Sequence, residues 1–155
     1  MGYLVRRAHV RIEQVKQWLN ERSGLRGLSG LSPDMSDLLA AKAKGDARAR
    51  LAIEVFCYRV RKYIGSYLAV LGEADAVISG GGIGKHSPAI RVHICAAMDW
   101  YGFVLDRGRN EKVVGLPAGS AVRISRGDAI VAAYVVAADE ETWIAAETVT
   151  CLLGK

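Results

Sequence analysis

Residues 76–88, Ala-Val-Ile-Ser-Gly-Gly-Gly-Ile-Gly-Lys-His-Ser-Pro, constrain the fold more than any other stretch of this chain. A short, mostly apolar run enters glycines at 80, 81, 82 and 84, then leaves through Ser87-Pro88 into an apolar-periodic segment. That order predicts a strand, a bare-backbone loop and a helix start. Glycine lets main-chain N–H groups approach a ligand with no Cβ in the way. A helix N-terminus adds unpaired donors and the positive end of the helix dipole. Such a corner is a phosphate or anion seat. Equally, it is a tight turn that needs glycine for its geometry alone. The named nucleotide fingerprints fail here. A P-loop needs glycine at Ser79 and a hydroxyl residue at His86, and G-x-G-x-x-G read from Gly80 needs glycine at Lys85.

The length of 155 residues suits a single domain, 1–155, and a hydrophobic fraction of 51% supplies a real core rather than a disordered chain. No stretch approaches the roughly 20 apolar residues of a membrane span, so no membrane is expected. The first residues, with Arg6, Arg7 and Arg11, lack the apolar region of a secretory signal. Cys57, Cys95 and Cys151 have no paired spacing and read as reduced, packed thiols of a cytoplasmic protein. The net charge of +5 permits an anionic ligand. Arg48, Arg50, Arg59, Arg61 and Lys62 alternate with apolar positions without a ladder of aromatics, so a solvated helix face is favoured over a nucleic-acid patch.

Along the chain, residues 8–22 read as a helix, 23–33 as a packed Gly/Ser loop, and 36–43 as a short helix. Asp46 is expected to cap a long helix ending near Leu71, with Ile53, Phe56, Val60, Ile64, Tyr67 and Leu71 as its buried stripe, broadened by Leu51, Val55 and Tyr58. Residues 76–79 read as a buried strand. Ser87 is a candidate N-cap for a helix running to Gly102 with Pro88 in its first turn. Residues 103–105 suggest a short strand and 106–119 a polar loop. Strands follow at 121–125 and 130–136, the second apolar enough to be central. Asp139 then caps a final helix, 140–153. Strands alternating with helices imply an α/β sheet.

The end of the last strand repeats the logic of the glycine corner. Asp139, Glu140 and Glu141 stand where that strand becomes a helix, and ligands of α/β sheets sit at the carboxyl ends of strands. Capping and the helix dipole explain three carboxylates without any function. The functional alternative is a carboxylate that holds Mg²⁺ beside a nucleotide's phosphates. Two such strand ends in one sheet form a plausible Mg-nucleotide pair.

Five segments, in order, resemble the acetate kinases of the sugar-kinase/Hsp70/actin superfamily. Residues 19–30, Leu-Asn-Glu-Arg-Ser-Gly-Leu-Arg-Gly-Leu-Ser-Gly, are similar to that family's LN-x-x-SGL-x-GLSG segment. Ser32-Pro33-Asp34-Met35 resembles its S-S-D-M-R turn, and residues 61–67 its KYIG-x-Y helix. Residues 82–87 resemble its GIGENS loop, and residues 138–141 its TNEE motif. The resemblance implies a ribonuclease H-like, actin-like ATPase domain with a mixed sheet flanked by helices, incomplete at its amino-terminal side. It implies ATP or ADP contacts at Ser32, Pro33, Asp34, Gly82, Ile83, Gly84, Lys85 and His86, with Ile90 near the base. It also implies Mg²⁺ held by Glu140, and a homodimer. Three positions depart from the family pattern: Ser36 where it has Arg, Lys85 where it has Glu, and His86 where it has Asn.

The resemblance is to the carboxyl-terminal portion of such an enzyme. The acetate pocket and the catalytic arginines and histidine belong to the portion not matched, so no catalytic residue is expected here. Acetate or acetyl phosphate would bind only with that portion present. Two functions follow: the nucleotide- and Mg-binding part of an acetate kinase-type phosphotransferase, or a non-catalytic nucleotide-binding or dimerisation module.

Overall fold

The computed structural model describes residues 1–154, which fall into two compact units, Met1–Val60 and the chain from Arg61 onward. The first unit is helical: α1 (Gly2–Ala8), α2 (Ile12–Glu21), α3 (Gly24–Ser29), α4 (Met35–Ala43) and the first half of α5 (Ala47–Leu71). The single helix expected over 8–22 is in fact two. Val5 O accepts from the amides of both His9 and Val10, and His9 takes a left-handed φ of 53°, a closure of the kind that ends helices. The expected loop at 23–33 contains α3, which stops where Gly30 N donates to Arg26 O at 2.8 Å.

Two acidic caps open helices of this unit, Asp46 as expected and Asp34 as a finding of the structure. Asp34 Oδ1 accepts from the backbone N and from Oγ of Ser36, both at 2.7 Å, and opens α4. Asp46 Oδ1 accepts from Ala49 N at 2.8 Å and opens α5. Each satisfies a donor that the first helical turn leaves without a partner. Val15, Met35, Leu38, Ala49, Ala52, Ile53 and Cys57 are the buried apolar residues of this unit.

The stripe expected on α5 is corrected. Ile53 is buried as expected and Val55, Phe56, Val60 and Ile64 are half-buried, but Leu51, Tyr58, Tyr67 and Leu71 are exposed, and Ala49, Ala52, Cys57 and Leu68 are buried in their place. The buried row is shifted by about one position and uses small side chains. An apolar face this wide leaves periodicity unable to locate its own centre, and close packing against small residues decides it.

The second unit is α/β, as expected. It contains β1 (Ala76–Ser79), α6 (Gly81–His86), α7 (Pro88–Cys95), a 3₁₀ turn (Asp99–Tyr101), α8 (Arg107–Lys112), β2 (Ala121–Arg123), β3 (Ala132–Val136) and α9 (Glu140–Leu153). The sheet is mixed, in the order β1-β3-β2, with β1 parallel and β2 antiparallel to the central β3. Leu68, Met98, Phe103, Val113, Ile124, Val131, Ala133 and Val135 form its core.

Several local expectations fail for tertiary reasons. Residues 81–86 are a short helix, not a bare loop. β1 is an edge strand, and Ile78 on it is exposed rather than buried. Ser87 makes no side-chain cap, although Pro88 does occupy the first turn of α7. That helix ends at Cys95 rather than Gly102, with Ala97 at a φ of 63°. The strand expected at 103–105 is a single bridge between Leu105 and Ser125. The loop expected at 106–119 holds α8, capped by Asp106 through Arg109 N at 2.9 Å. Cys151 is exposed, not packed. Arg61 is not on a solvated face: it is half-buried, and its guanidinium donates to Ile94 O at 2.8 Å and to His93 O at the end of α7. Among the described residues no helix is long and apolar enough to cross a membrane.

Two measurements check this packing. Leu68, 3% exposed, and Leu71, 65% exposed, lie one turn apart on α5. Leu68→Ala is expected to cost about 2–5 kcal/mol in denaturant unfolding, and Leu71→Ala no more than about 0.5 kcal/mol; equal losses would refute the observed face. The second concerns Asp34. Its pKa is held below the ordinary value first by the hydroxyl of Ser36 and then by the Ser36 amide. A depressed carboxyl contributes stability at pH above its ordinary range, and that contribution fades as pH falls through the lowered pKa. Ser36→Ala is expected to raise the Asp34 carboxyl pKa toward normal in a ¹³C NMR titration. An unmoved titration would show that the hydroxyl bond has no such role.

Candidate functional site

The parallel pairing of β1 with β3 builds the candidate site. Its register aligns Ser79 with Val135, so both strands end at one edge of the sheet. The chain leaves β1 into Gly80 and α6, and leaves β3 into Ala137, Ala138 and the acidic start of α9. Between these exits lies a cleft of about 360 Å³, with Gly81, Gly82 and Lys85 on one side and Val136–Glu141 on the other. Ala118 completes it from the segment before β2. That segment is tied to the exit of β3 by Gly119 N to Ala137 O at 2.7 Å and Ala137 N to Ser120 O at 2.9 Å.

Glycine is required on the first wall for two separate reasons. Gly81 has a φ of 65°, a left-handed backbone that costs other residues roughly 1–2 kcal/mol. At Gly84, a Cβ would stand 3.2 Å from the carbonyl carbon of Ser79, so a side chain there would press α6 away from the end of β1. Helix α6 packs against both α7 and β3.

The far end of α6 is held by a buried cation. Arg91 on α7 is 1% exposed. Its Nη1 donates to Gly84 O at 2.7 Å and Lys85 O at 3.2 Å, and its Nη2 to Asn110 O at 2.8 Å and Val113 O at 2.7 Å. Its Nε donates to Asn110 Oδ1 at 2.7 Å, while Asn110 Nδ2 donates to Pro88 O at 3.1 Å. Burial pushes the guanidinium pKa down from its ordinary value, but arginine stays protonated in proteins.

On the other wall, Asp139 caps α9 through Thr142 N at 3.3 Å, and Glu140 and Glu141 are exposed in its first turn. The wall therefore presents carboxylate oxygen beside a polar mouth. Among the described residues no cluster of three or more His, Cys, Asp or Glu side chains stands ready to hold a metal by itself.

Of the residues singled out in the sequence, Gly82, Lys85 and Glu140 meet in this cleft. Ile83 and Gly84 belong to the same helix, behind that wall, and Ile90 is buried in α7. His86 is exposed, with its ring beside Gly115. Ser32, Pro33 and Asp34 lie in the first unit, where Ser32 Oγ donates to Asp37 Oδ2 at 2.6 Å and Asp34 is the α4 cap. Ser36, where the family pattern has arginine, is spent on that cap. Sequence reasoning missed Gly81, Ala118 and Arg91. The first was visible as part of the glycine run. The other two had no local signal, because their roles come from segments distant in the chain. A second, more apolar hollow of about 660 Å³ lies along α7 and α8, lined by Pro88, Ala89, Val92, His93 and Asn110 among others; no predicted site residue lines it.

Comparison with known proteins agrees with this architecture. The model of the Acetokinase family matches residues 1–146. The acetate kinase of Solibacter usitatus is 46% identical over 143 residues, covering 92% of this chain and 34% of that protein. The acetate kinase of Acetivibrio thermocellus is 42% identical over 146 residues, covering 94% and 35%. The crystal structure of Porphyromonas gingivalis acetate kinase superposes with a TM-score of 0.86 at 32% identity, over 97% of this chain and 37% of that one. A propionate kinase from Francisella tularensis superposes with a TM-score of 0.78 at 31% identity, over 90% and 34%. The chain thus spans about a third of the length of the relatives it matches. On the family match and these identities together, this chain belongs to the acetokinase family.

Proposed function

We propose that this chain is the nucleotide- and Mg²⁺-binding part of an acetate kinase-type phosphotransferase, acting in the reversible transfer between ATP and a short carboxylate such as acetate. The observation that carries the reading is the cleft itself, where glycine backbone and Lys85 face Glu140 and Glu141 across two parallel strand ends. Phosphoryl transfer asks a protein mainly for positioning and charge neutralisation. Gly81 and Gly82 leave room for phosphate oxygens near the main chain, and Lys85 supplies a cation where the family pattern has a carboxylate. Ser32, Pro33 and Asp34 are assigned to the nucleoside side, with Ile83, Gly84, His86 and Ile90 supporting the nucleotide. The relatives named acetate kinase and propionate kinase support the substrate class.

Glu140 is the residue assigned to Mg²⁺. The donor set suits that ion. It offers hard carboxylate oxygen and no closed cage, and Mg²⁺ keeps several waters and binds through one or two carboxylates plus substrate phosphates. Bound there, the ion would neutralise phosphate charge.

A second reading, a nucleotide-binding or dimerisation module without catalysis, is favoured by α9. Every residue of that helix is exposed, including Trp143, Ile144, Leu152 and Leu153. A homodimer and a cytoplasmic setting belong to the proposal. Nucleic acid is the least favoured partner, because no docking motif accompanies the net charge of +5.

Calorimetric titration with ATP is expected to show affinity strengthened by Mg²⁺, with Glu140→Ala removing most of that strengthening, by about tenfold. A metal dependence unchanged by the substitution would take the role from Glu140. The chain by itself is expected to form no acetyl phosphate from ATP and acetate; turnover in the ordinary kinase range of roughly 1–100 s⁻¹ would overturn the division of labour proposed here.

A further inference from the structure

We propose that Arg91 is a positioning residue for the glycine wall of the cleft, locking α6 onto α8 so that Gly81, Gly82 and Lys85 keep their places. No carboxylate pairs with this buried guanidinium among the described residues. Its charge is met instead by main-chain carbonyls at the carboxyl ends of two short helices, Gly84 and Lys85 of α6 and Asn110 and Val113 at the end of α8. These are carbonyls that a helix cannot satisfy internally, and the negative end of its dipole lies there. One cation thereby serves two helix ends, and the carbonyl of Lys85 is fixed while its side chain lines the cleft.

The fork shape of the group is essential. Five donors in one plane reach both helices at once, whereas a lysine presents a single point charge. Asn110, fully buried, orients the fork by accepting from Nε and donating to Pro88 O at the start of α7. The core touches this network only through Val113, so losing the fork is expected to release the end of α6 while the rest of that core keeps the chain folded. The link to nucleotide affinity rests on the function proposed above; the link to α6 itself does not.

The test compares the full chain with its Arg91→Lys and Asn110→Ala variants. NMR-detected hydrogen exchange is followed at the amides of Lys85, His86 and Ser87 and, as an internal reference, at those of β3. Magnesium ATP affinity is measured on the same samples. Arg91→Lys is expected to speed exchange in α6 by about tenfold or more and to weaken nucleotide binding in parallel. Asn110→Ala should do the same to a smaller degree, with β3 unchanged in both. Wild-type α6 exchange in both variants, or acceleration that β3 shares equally, would overturn the positioning role. So would faster α6 exchange with undiminished affinity. If the unmodified protein binds no magnesium ATP, the proposed function falls, and the exchange data still decide whether Arg91 holds α6. If Arg91→Lys does not fold, Asn110→Ala decides alone.

Discussion

The second unit depends on how a buried guanidinium is made tolerable. Moving a charge out of water costs several kcal/mol even after relaxation. Arg91 sits at 1% exposure with no carboxylate partner among the described residues, so that cost is offset by the carbonyls of Gly84, Lys85, Asn110 and Val113 and the side chain of Asn110. Those carbonyls would otherwise be buried acceptors without donors, which is costly in its own right. Each side of the arrangement solves the other's problem. This is why three short helices, none long enough to be stable in isolation, hold a definite arrangement beside a sheet of three strands. Arg61 repeats the device at the end of α7 through Ile94 O and His93 O.

The sheet converts that local order into a cleft. β1 and β3 are parallel, so both deliver their following segments to the same edge. One segment is rich in glycine and ends against Arg91; the other begins with Asp139, Glu140 and Glu141. A hairpin between the same two strands would have put these segments at opposite edges. The charge pattern of the cleft, Lys85 against Glu140 and Glu141, is thus a product of strand direction rather than of sequence proximity.

Legibility followed the range of the interaction. Asp46 and Asp139 were read correctly as caps because a cap involves a side chain and an amide three residues away. β3 was recognised as central from its apolar composition, and it does lie between β1 and β2. The α5 stripe was displaced because its face is broad and the deciding contacts come from elsewhere. Residues 81–86 read as a bare loop because glycine opposes helix in isolation, yet Arg91 closes that helix from the adjacent α7. Helix α8 hid in a polar stretch for a similar reason: its Asn110 is buried by Arg91, not by a local apolar partner.

By itself, the sequence determined the family, the α/β class, the capped starts of α5 and α9, and the glycine-rich and acidic segments that follow β1 and β3. All of these rest on residue type and short spacing, which survive without knowledge of distant contacts. Only the tertiary structure decided that Gly82, Lys85 and Glu140 share one cleft, that Gly81 and Ala118 join them, and that Arg91 holds their wall. Strand pairing and the burial of a charge are long-range choices, made where segments far apart in the chain supply one another's missing hydrogen-bond partners.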